Sequence, residues 1–147
     1  MFEATTQVRV RYGETDKMNV VYHGNYVEYF EVGRVEAIRE LGVSYKDMEE
    51  QGVIMPVIEW QAKFLRPAKY DDLLTVKTKL KTLPVGHEIT FFQEVYNEAG
   101  KLLTSGQVRL YFMTAETMLR TTMPEALRAK LETYFPVRPS GELPSIG

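Results

Sequence analysis

The chain has 147 residues, of which 44% are hydrophobic and 26% are charged, enough apolar surface for the core of one domain. The formal net charge of -2 argues against nucleic acid as the main partner, because proteins that bind it usually carry a basic excess. The sequence contains no cysteine, which excludes disulfides, thiolate metal sites and a cysteine nucleophile.

The start of the chain and its hydropathy predict a compartment. Residues 1–6 lack the basic segment and apolar stretch of a secretory signal, and no apolar run approaches the roughly 20 residues that cross a bilayer. We therefore expect a cytoplasmic protein without membrane insertion. We expect one domain over residues 1–135 and a loose tail over residues 136–147, which are rich in Pro, Gly and Ser.

The first predicted element is a strand over residues 5–12, where Val8, Val10 and Tyr12 alternate with polar residues. Residues 13–24 show little periodicity and are interpreted as a functional loop. A long helix is predicted over residues 26–41, with Asn25 as its N-cap and a glycine as its C-terminal stop. It would be roughly 25 Å long.

Later segments predict a short helix, then strands, then a last helix. Gly33 in the middle of the long helix costs about 1 kcal/mol relative to alanine, a cost that close approach to another backbone would offset. The short helix covers residues 44–51, with a capping box at Ser44 and Asp47. Strands begin near residue 53 and include residues 76–81, 88–96 and 102–114, with a hairpin turn at residues 97–100 and a final helix over residues 124–134. This order predicts an α+β domain in which one helix is buried against an antiparallel sheet.

Several common catalytic motifs are absent from the sequence. It contains no G-x-S-x-G elbow, no Walker-type phosphate loop and no G-x-G-x-x-G. His23 and His87 are far apart and lack the spacing of metal motifs. We therefore expect no metal and no organic cofactor, and we interpret His87 as a histidine at a strand edge.

Residues 12–26 place a carboxylate, a histidine and tyrosines directly ahead of the longest helix. A helix N-terminus offers unpaired N–H groups and a partial positive charge, which suit the oxyanion that forms when a carbonyl is attacked. A carboxylate at Asp16 could attack that carbonyl or activate a water. The alternative is structural: Asp16 caps a turn and His23 caps the helix.

A set of motifs within about residues 8–114 comprises Tyr12, Glu14-Thr15-Asp16, Val20-Val21-Tyr22-His23-Gly24-Asn25-Tyr26, Phe30-Glu31-Val32-Gly33-Arg34 and a second block at residues 64–72. In these motifs the sequence resembles the 4-hydroxybenzoyl-CoA thioesterase-like hotdog enzymes, and within them the YbgC-type acyl-CoA thioesterases. One departure is Asn19, where this family usually has glycine. Asparagine is the commonest substitute in the left-handed conformation, so the loop path should survive.

The resemblance implies a hotdog fold, in which a curved antiparallel sheet wraps a long central helix. It implies hydrolysis of acyl-CoA to free acid and CoA, with Asp16 as nucleophile or general base and with Tyr12 and His23 at positions implicated in YbgC-type members. It further implies a homodimer or homotetramer that binds its ligand between subunits. The nearer likeness to the YbgC type favours short to medium aliphatic acyl groups.

The predicted substrate contacts are one tyrosine, one methionine and three cations. The cations suit the phosphates of CoA, although a solvated charged face explains them equally well, and the tyrosine is more often a packing residue. Met18 and Phe64 are further candidates for lining an acyl or pantetheine channel. The predicted contacts are Tyr22, Met55, Lys63, Arg66 and Lys69.

Two rival functions remain open from the sequence. A hotdog dehydratase or hydratase usually places its catalytic histidine or acidic residue differently, often on the helix, whereas Asp16 lies in the loop, which favours the hydrolase. A non-catalytic acyl-CoA-binding scaffold would keep the fold without the reaction. Glu31 and Arg34, three residues apart, are assigned to an intrahelical or interface ion pair.

Overall fold

In the computed structural model, which describes residues 1–136, one long helix lies against a five-stranded antiparallel sheet. The predicted α+β class is therefore confirmed. The elements are β1 (Phe2–Arg9), α1 (Tyr26–Glu40), α2 (Tyr45–Glu50), β2 (Val53–Ile54), β3 (Val57–Phe64), β4 (Leu73–Leu80), β5 (Glu88–Tyr96), β6 (Leu102–Tyr111), β7 (Met113–Thr114) and α3 (Glu125–Leu131).

The strands of the main sheet follow the order β1-β4-β5-β6-β3, and β2 pairs with β7 in a separate two-stranded sheet. β1 and β3 are therefore the two edges of the main sheet. A tight turn over residues 97–100 joins β5 to β6, and Asn97 Oδ1 accepts hydrogen bonds from the N–H groups of Ala99 and Lys101 at 3.0 and 2.9 Å. This is the hairpin turn that the sequence predicts.

Alternation along the central strands directs one row of side chains from each strand toward α1. The inward residues of β5 are buried and the outward residues are only partly covered, as expected for a sheet with one packed face. α1 packs mainly against β1 and β4, with a smaller contact to β5. Buried apolar residues of β4 and β5 include Leu74, Val76, Leu80, Ile89, Phe91 and Val95.

Gly33 lies where α1 packs tightly against the sheet. A Cβ at this position would lie 2.7 Å from Val76 Cγ1 and 2.8 Å from Gln93 Nε2 and Thr78 Oγ1. The close approach that the mid-helix glycine predicts is present. Its partners are side chains of β4 and β5 rather than another backbone.

A buried polar group connects α1 to the sheet beside this contact. Gln93 Nε2 donates hydrogen bonds to the Phe30 carbonyl oxygen at 2.8 Å and to Thr78 Oγ1 at 2.9 Å. Arg34 is 4% exposed, and its Nη1 donates to Gln93 Oε1 at 3.4 Å. Within residues 1–136, Arg34 makes no ion pair with Glu31; it turns inward to the sheet instead.

Some element boundaries differ from the prediction. β1 begins at Phe2 and ends at Arg9, because Val10 is hydrogen bonded to the backbone of Asp71 and Asp72 and the chain then turns. The last helix ends at Leu131 and continues as a single 3-10 turn. The predicted loose tail lies, except for Pro136, outside the described residues. Over residues 1–136 no helix has the length and hydropathy to cross a membrane.

Candidate functional site

Asp16 lies at the tip of a small hairpin between β1 and α1, the Asp16 hairpin (residues 14–22). Thr15 and Val21 form an antiparallel bridge, and the N–H of Asp16 donates to the Val20 carbonyl oxygen at 2.9 Å. Asn19 closes the tip, where its N–H donates to the Asp16 carbonyl oxygen at 2.9 Å. Its φ of 64° confirms the left-handed conformation predicted for an asparagine in the place of glycine.

The Asp16 carboxylate is half-buried and uses one oxygen to hold the turn. Oδ1 accepts a hydrogen bond from the Met18 N–H at 2.9 Å, the side-chain-to-backbone bond of an Asx-turn. Oδ2 accepts no hydrogen bond from any residue that the structure describes. The turn-capping interpretation of Asp16 is thus present, and it leaves one oxygen without a partner from residues 1–136.

The hairpin enters α1 through a single 3-10 turn at His23–Asn25. The first hydrogen bond of this turn runs from the Asn25 N–H to the Tyr22 carbonyl oxygen, at 2.9 Å. The N–H groups of His23 and Gly24 precede it and donate no hydrogen bond within residues 1–136. They are the unpaired donors expected at a helix start.

Asn25 does not cap the helix as predicted. Its side chain makes no capping hydrogen bond to α1; instead Asn25 Nδ2 donates to the Glu14 carbonyl oxygen at 2.8 Å. The cap prediction fails because the 3-10 turn already places Asn25 in helical conformation, with φ −73° and ψ −17°. The amide therefore reaches back to the hairpin.

A cleft of about 250 Å³ opens beside the hairpin. It brings together three of the predicted site residues, Asp16, His23 and Arg66, and the rest of its wall is mainly apolar. Two predicted channel residues, Met18 and Phe64, are also in the wall. The remaining lining residues are Val20, Val21, Tyr26, Leu65 and Pro67.

The His23 ring lies among aromatic rings at one side of this cleft. Its centroid is 4.3 Å from that of Tyr22 and 6.1 Å from that of Phe64. Tyr22 does not line the cleft, but it covers Gly24: a Cβ there would lie 2.7 Å from Tyr22 Cε2. Tyr22 thus packs beside the site.

Tyr12 points away from the cleft. Its side chain is 77% exposed and makes an edge contact with Tyr70, with ring centroids 5.5 Å apart. Its carbonyl oxygen accepts a hydrogen bond from Thr15 Oγ1 at 2.8 Å. Tyr12 supports the hairpin through its backbone, and its phenol lies outside the cleft.

The three predicted cations do not form one cluster. Lys63 lies opposite Ser105 in the register between β3 and β6. It borders a separate concavity of about 460 Å³ on the outer face of the sheet. Arg66 follows the end of β3 and lines the cleft beside Asp16. Lys69 is exposed, and its backbone N–H donates to Asp72 Oδ2 at 2.8 Å. Strand alternation, which puts neighbouring residues on opposite faces, separates Lys63 from the cleft.

Met55, the remaining predicted contact, packs against the hydrophobic core and is not in the cleft wall. His87 lies just before β5, where its ring makes an edge contact with Tyr111 at 4.8 Å. This agrees with its interpretation as a strand-edge histidine. In residues 1–136 no group of three histidine or carboxylate side chains is placed to hold a metal ion.

Glu14 is a site residue that the sequence reasoning missed. It is 7% exposed, and its carboxylate accepts hydrogen bonds from the Arg11 N–H at 2.8 Å, Arg11 Nε and Nη2 at 3.1 and 3.0 Å, and the Tyr29 hydroxyl at 2.8 Å. Burial disfavours its charge, but the Arg11 N–H, the Tyr29 hydroxyl and the Arg11 guanidinium outweigh that effect and lower the pKa of Glu14. Burial and the Glu14 carboxylate raise the pKa of Tyr29. A contact between Glu14 and Tyr29, which are 15 residues apart, leaves no periodic pattern in the sequence. The sequence therefore shows only that an acidic residue lies at the start of the loop.

Comparison with known proteins adds four findings to this geometry. Residues 10–131 match the model of the thioesterase-like superfamily. The chain is 37% identical over 102 residues to the putative acyl-CoA thioesterase YneP of Bacillus subtilis, covering 69% of this chain and 73% of that protein. It is 28% identical over 125 residues to the acyl-CoA thioester hydrolase YbgC of Escherichia coli, covering 85% and 92%. Its fold is similar to that of a DHNA-CoA thioesterase from Staphylococcus aureus, with a TM-score of 0.80, 36% identity and coverage of 92% and 85%.

Proposed function

Since the chain belongs to the thioesterase-like superfamily, we propose that it hydrolyses acyl-CoA thioesters with Asp16 as its catalytic carboxylate. The relatives confirm the predicted hotdog fold and the predicted class of enzyme, a hydrolase acting on acyl-CoA. The roles of individual residues are part of the proposal.

The observation that supports these roles is a carboxylate on the wall of one cleft, together with unpaired N–H groups in the turn that begins helix α1. Asp16 and His23 both line the cleft, and the N–H groups of His23 and Gly24 have no acceptor in residues 1–136. Such donors stabilise an oxyanion when they are fixed before the reaction begins. The Asp16 oxygen that is not used by the turn is the basic or nucleophilic atom.

Two routes give the same products. In the general-base route, Asp16 takes a proton from water while the water oxygen bonds to the thioester carbon. The resulting oxyanion faces the His23 and Gly24 N–H groups; as it collapses, the C–S bond breaks and the CoA thiolate receives the proton from Asp16. In the nucleophilic route, an Asp16 oxygen displaces the thiolate to form an anhydride, which water then hydrolyses. Both routes yield free acid and CoA and regenerate Asp16.

The proposed substrate contacts follow the positions of the side chains. Arg66, the predicted cation in the cleft wall, pairs with a CoA phosphate, for which guanidinium geometry is suited. Met18 and Phe64 contact the acyl or pantetheine chain. Tyr12, Lys63 and Lys69 lie outside this cleft and would contact a part of the ligand that extends beyond it, or a ligand held by a neighbouring subunit.

The acyl group remains a prediction, with two classes to compare. Short to medium aliphatic groups are favoured by the likeness to YbgC. An aromatic group is the second candidate, because the Staphylococcus aureus relative is a DHNA-CoA thioesterase and Tyr26 and Phe64 contact each other in the cleft wall, with ring centroids 5.3 Å apart.

We also propose that the protein is a homodimer, or a homotetramer built from dimers, and that it acts in the cytoplasm. The edge strand β3 supports the assembly. Most of its residues are exposed, and exposed apolar side chains lie at both ends of the strand, Val57 and Ile58 at its start and Phe64 and Leu65 at its end. An exposed apolar edge strand is a template for pairing with another chain.

The proposal is tested by following thiol release from a panel of acyl-CoAs, from acetyl to palmitoyl together with phenylacetyl, 4-hydroxybenzoyl and 1,4-dihydroxy-2-naphthoyl esters. Because the protein contains no cysteine, a thiol reagent reports CoA alone. A 2-enoyl-CoA is included: a hydratase would consume its double bond without releasing thiol, and a scaffold would bind the panel without either change. The rate should be the same with and without EDTA, since no metal is expected.

A further inference from the structure

Glu14 connects the Asp16 hairpin to helix α1 through its backbone and its side chain. Its carbonyl oxygen accepts hydrogen bonds from the Tyr22 N–H at 2.9 Å and from Asn25 Nδ2 at 2.8 Å. Its carboxylate accepts the hydroxyl of Tyr29, which lies one turn inside α1. One residue therefore holds the base of the hairpin, the 3-10 turn and the first turn of the helix together.

This junction matters because the two halves of the proposed site lie on different elements. Asp16 is carried by the hairpin, whereas the N–H groups of His23 and Gly24 belong to the turn that begins the helix. Their separation depends on how the hairpin is fixed against α1. A displacement of about 1 Å in a reacting group can lower a rate on the order of 100-fold.

The carboxylate has an exposed donor on one side and a buried donor on the other. The Arg11 side chain is 77% exposed, so its ion pair with Glu14 is largely solvated and contributes little to rigidity. The hydroxyl of Tyr29 is buried with the Glu14 carboxylate, where a hydrogen bond to a charged group is hard to replace. The Tyr29 contact should therefore fix the hairpin more firmly than the Arg11 contact.

From this geometry we infer that Glu14 is a positioning residue for the proposed reaction, and that Tyr29 is the helix residue through which it acts. The inference rests on the proposed function. Neither side chain lines the cleft, so neither is expected to contact the substrate.

The test measures the kcat and KM of Glu14→Met, Tyr29→Phe and Arg11→Met with the best substrate of the panel. It also follows hydrogen–deuterium exchange in peptides that cover residues 14–22. We expect kcat to fall roughly 10- to 100-fold in Glu14→Met, which removes both acceptor oxygens, and about 10-fold in Tyr29→Phe, with KM within about 2-fold, and to stay within about 2-fold in Arg11→Met. Exchange in the hairpin should become faster in the first two variants.

Thr78→Val is the matched control, because it removes a buried hydroxyl that accepts a hydrogen bond from Gln93 far along the sheet from the hairpin. It should lower the melting temperature without changing kcat or hairpin exchange. The inference is overturned if Tyr29→Phe and Glu14→Met keep the wild-type kcat, if their hairpin exchange is unchanged, or if Thr78→Val lowers kcat equally. A wild-type protein that hydrolyses no acyl-CoA would overturn the proposed function and the positioning role with it, while faster exchange in Tyr29→Phe would still identify the anchor.

Discussion

The two oxygens of the Asp16 carboxylate have different surroundings. Oδ1 is held by the Met18 N–H, and Oδ2 has no hydrogen-bond donor from residues 1–136. A fixed oxygen restricts the rotation of the whole carboxylate, so the turn orients the second oxygen. The structural and catalytic interpretations of Asp16 are therefore compatible, because the turn supplies the orientation that catalysis needs.

We expect Asp16→Asn to lower kcat by at least about 100-fold, the scale of losing a positioned acid–base group. An asparagine Oδ1 can still accept the Met18 hydrogen bond, so the turn and substrate binding should survive while charge and basicity are lost. Steady-state thiol release measures the loss of kcat, and the melting temperature shows whether the fold around the turn survives. His23→Ala should cause a smaller loss, because its backbone N–H remains.

Asp71→Asn is the matched control for lost charge. Asp71 is exposed, lies outside the cleft and has a φ of 70°, a conformation that asparagine tolerates. The activity of the Asp71→Asn variant should match that of the wild type. Activity that survives in Asp16→Asn and disappears in His23→Ala would reverse the assigned roles and favour a histidine-based dehydratase or hydrolase.

The lowered pKa of Glu14 should make the free energy of unfolding of the protein depend on pH. Its pKa is lower in the folded protein than its ordinary value of 4.5, so its ionised form stabilises the fold above that value, and the contribution is lost as the pH falls through the folded pKa. The free energy of unfolding of the wild type should exceed that of Glu14→Gln by a constant amount near pH 7. This difference should shrink as the pH falls below 4.5, as measured by urea denaturation. A difference that grows with acidity would contradict the prediction.

At the scale of elements, the contact between α1 and the sheet depends on the missing side chain at Gly33. A Cβ at Gly33 would lie only 2.7–2.8 Å from side-chain atoms of Val76, Thr78 and Gln93, too close for a van der Waals contact. The cost of glycine in a helix is offset by this packing, which also brings the Phe30 carbonyl oxygen within reach of Gln93.

Gly33→Ala should destabilise the protein although alanine favours helix. The better propensity is worth about 1 kcal/mol, and overpacking of a close contact costs about 1–3 kcal/mol. We therefore expect the free energy of unfolding to fall by up to about 2 kcal/mol, the difference between these two terms, in chemical denaturation. Gly13→Ala is the control, because a Cβ there meets nothing within 4 Å. A more stable Gly33→Ala variant would show that the helix can move away from the sheet freely.

Elements with strong local signals could be predicted from the sequence. α1 was predicted to within one residue, since it ends at Glu40 rather than at residue 41. Its periodicity is clear, and Gly42 adopts the left-handed φ of 87° that ends helices. β5 has the predicted bounds, since alternation and a turn define both ends. The path of the loop at Asn19 was also predictable, because it depends on one residue's backbone preference.

Features that depend on distant contacts could not be predicted. The contact between Glu14 and Tyr29 forms only when the hairpin folds back on the helix. The separation of Lys63 from Arg66 depends on where β3 ends, and one residue of register changes the face. The start of β1 at Phe2 follows from its pairing with Leu80, which local composition does not reveal.

At the scale of the whole molecule, β3 has no partner on one side within residues 1–136. Helix α1 lies mainly over β1 and β4, so the β3 end of the sheet is less covered. Phe64 belongs both to this edge strand and to the wall of the cleft. Pairing at β3 would therefore place the neighbouring subunit beside the proposed site.

We expect Ile58→Lys to shift the protein toward monomer. Ile58 is 41% exposed on β3, and a lysine on an edge strand opposes pairing with another chain. Light scattering at micromolar concentration measures the change, and thiol release should fall with it if the ligand binds between subunits. Val85→Lys, at an exposed residue outside the strands, should leave the mass unchanged. A wild-type protein that is already monomeric would contradict both the assembly and the shared site.

The strand order also determines when the site can form during translation. β1 and the Asp16 hairpin are synthesised first, but β1 pairs with β4, whose last residue is Leu80. At about 5–20 residues per second, a ribosome needs roughly 4–15 s to make the intervening chain. During that time the hairpin can form its local hydrogen bonds, but Val21 must wait for the Ala68 carbonyl oxygen, its acceptor. The nascent N-terminal segment therefore carries the proposed catalytic aspartate before it has the sheet that supports it, and translational pausing before residue 80 would prolong the exposure of β1 and α1 to chaperones.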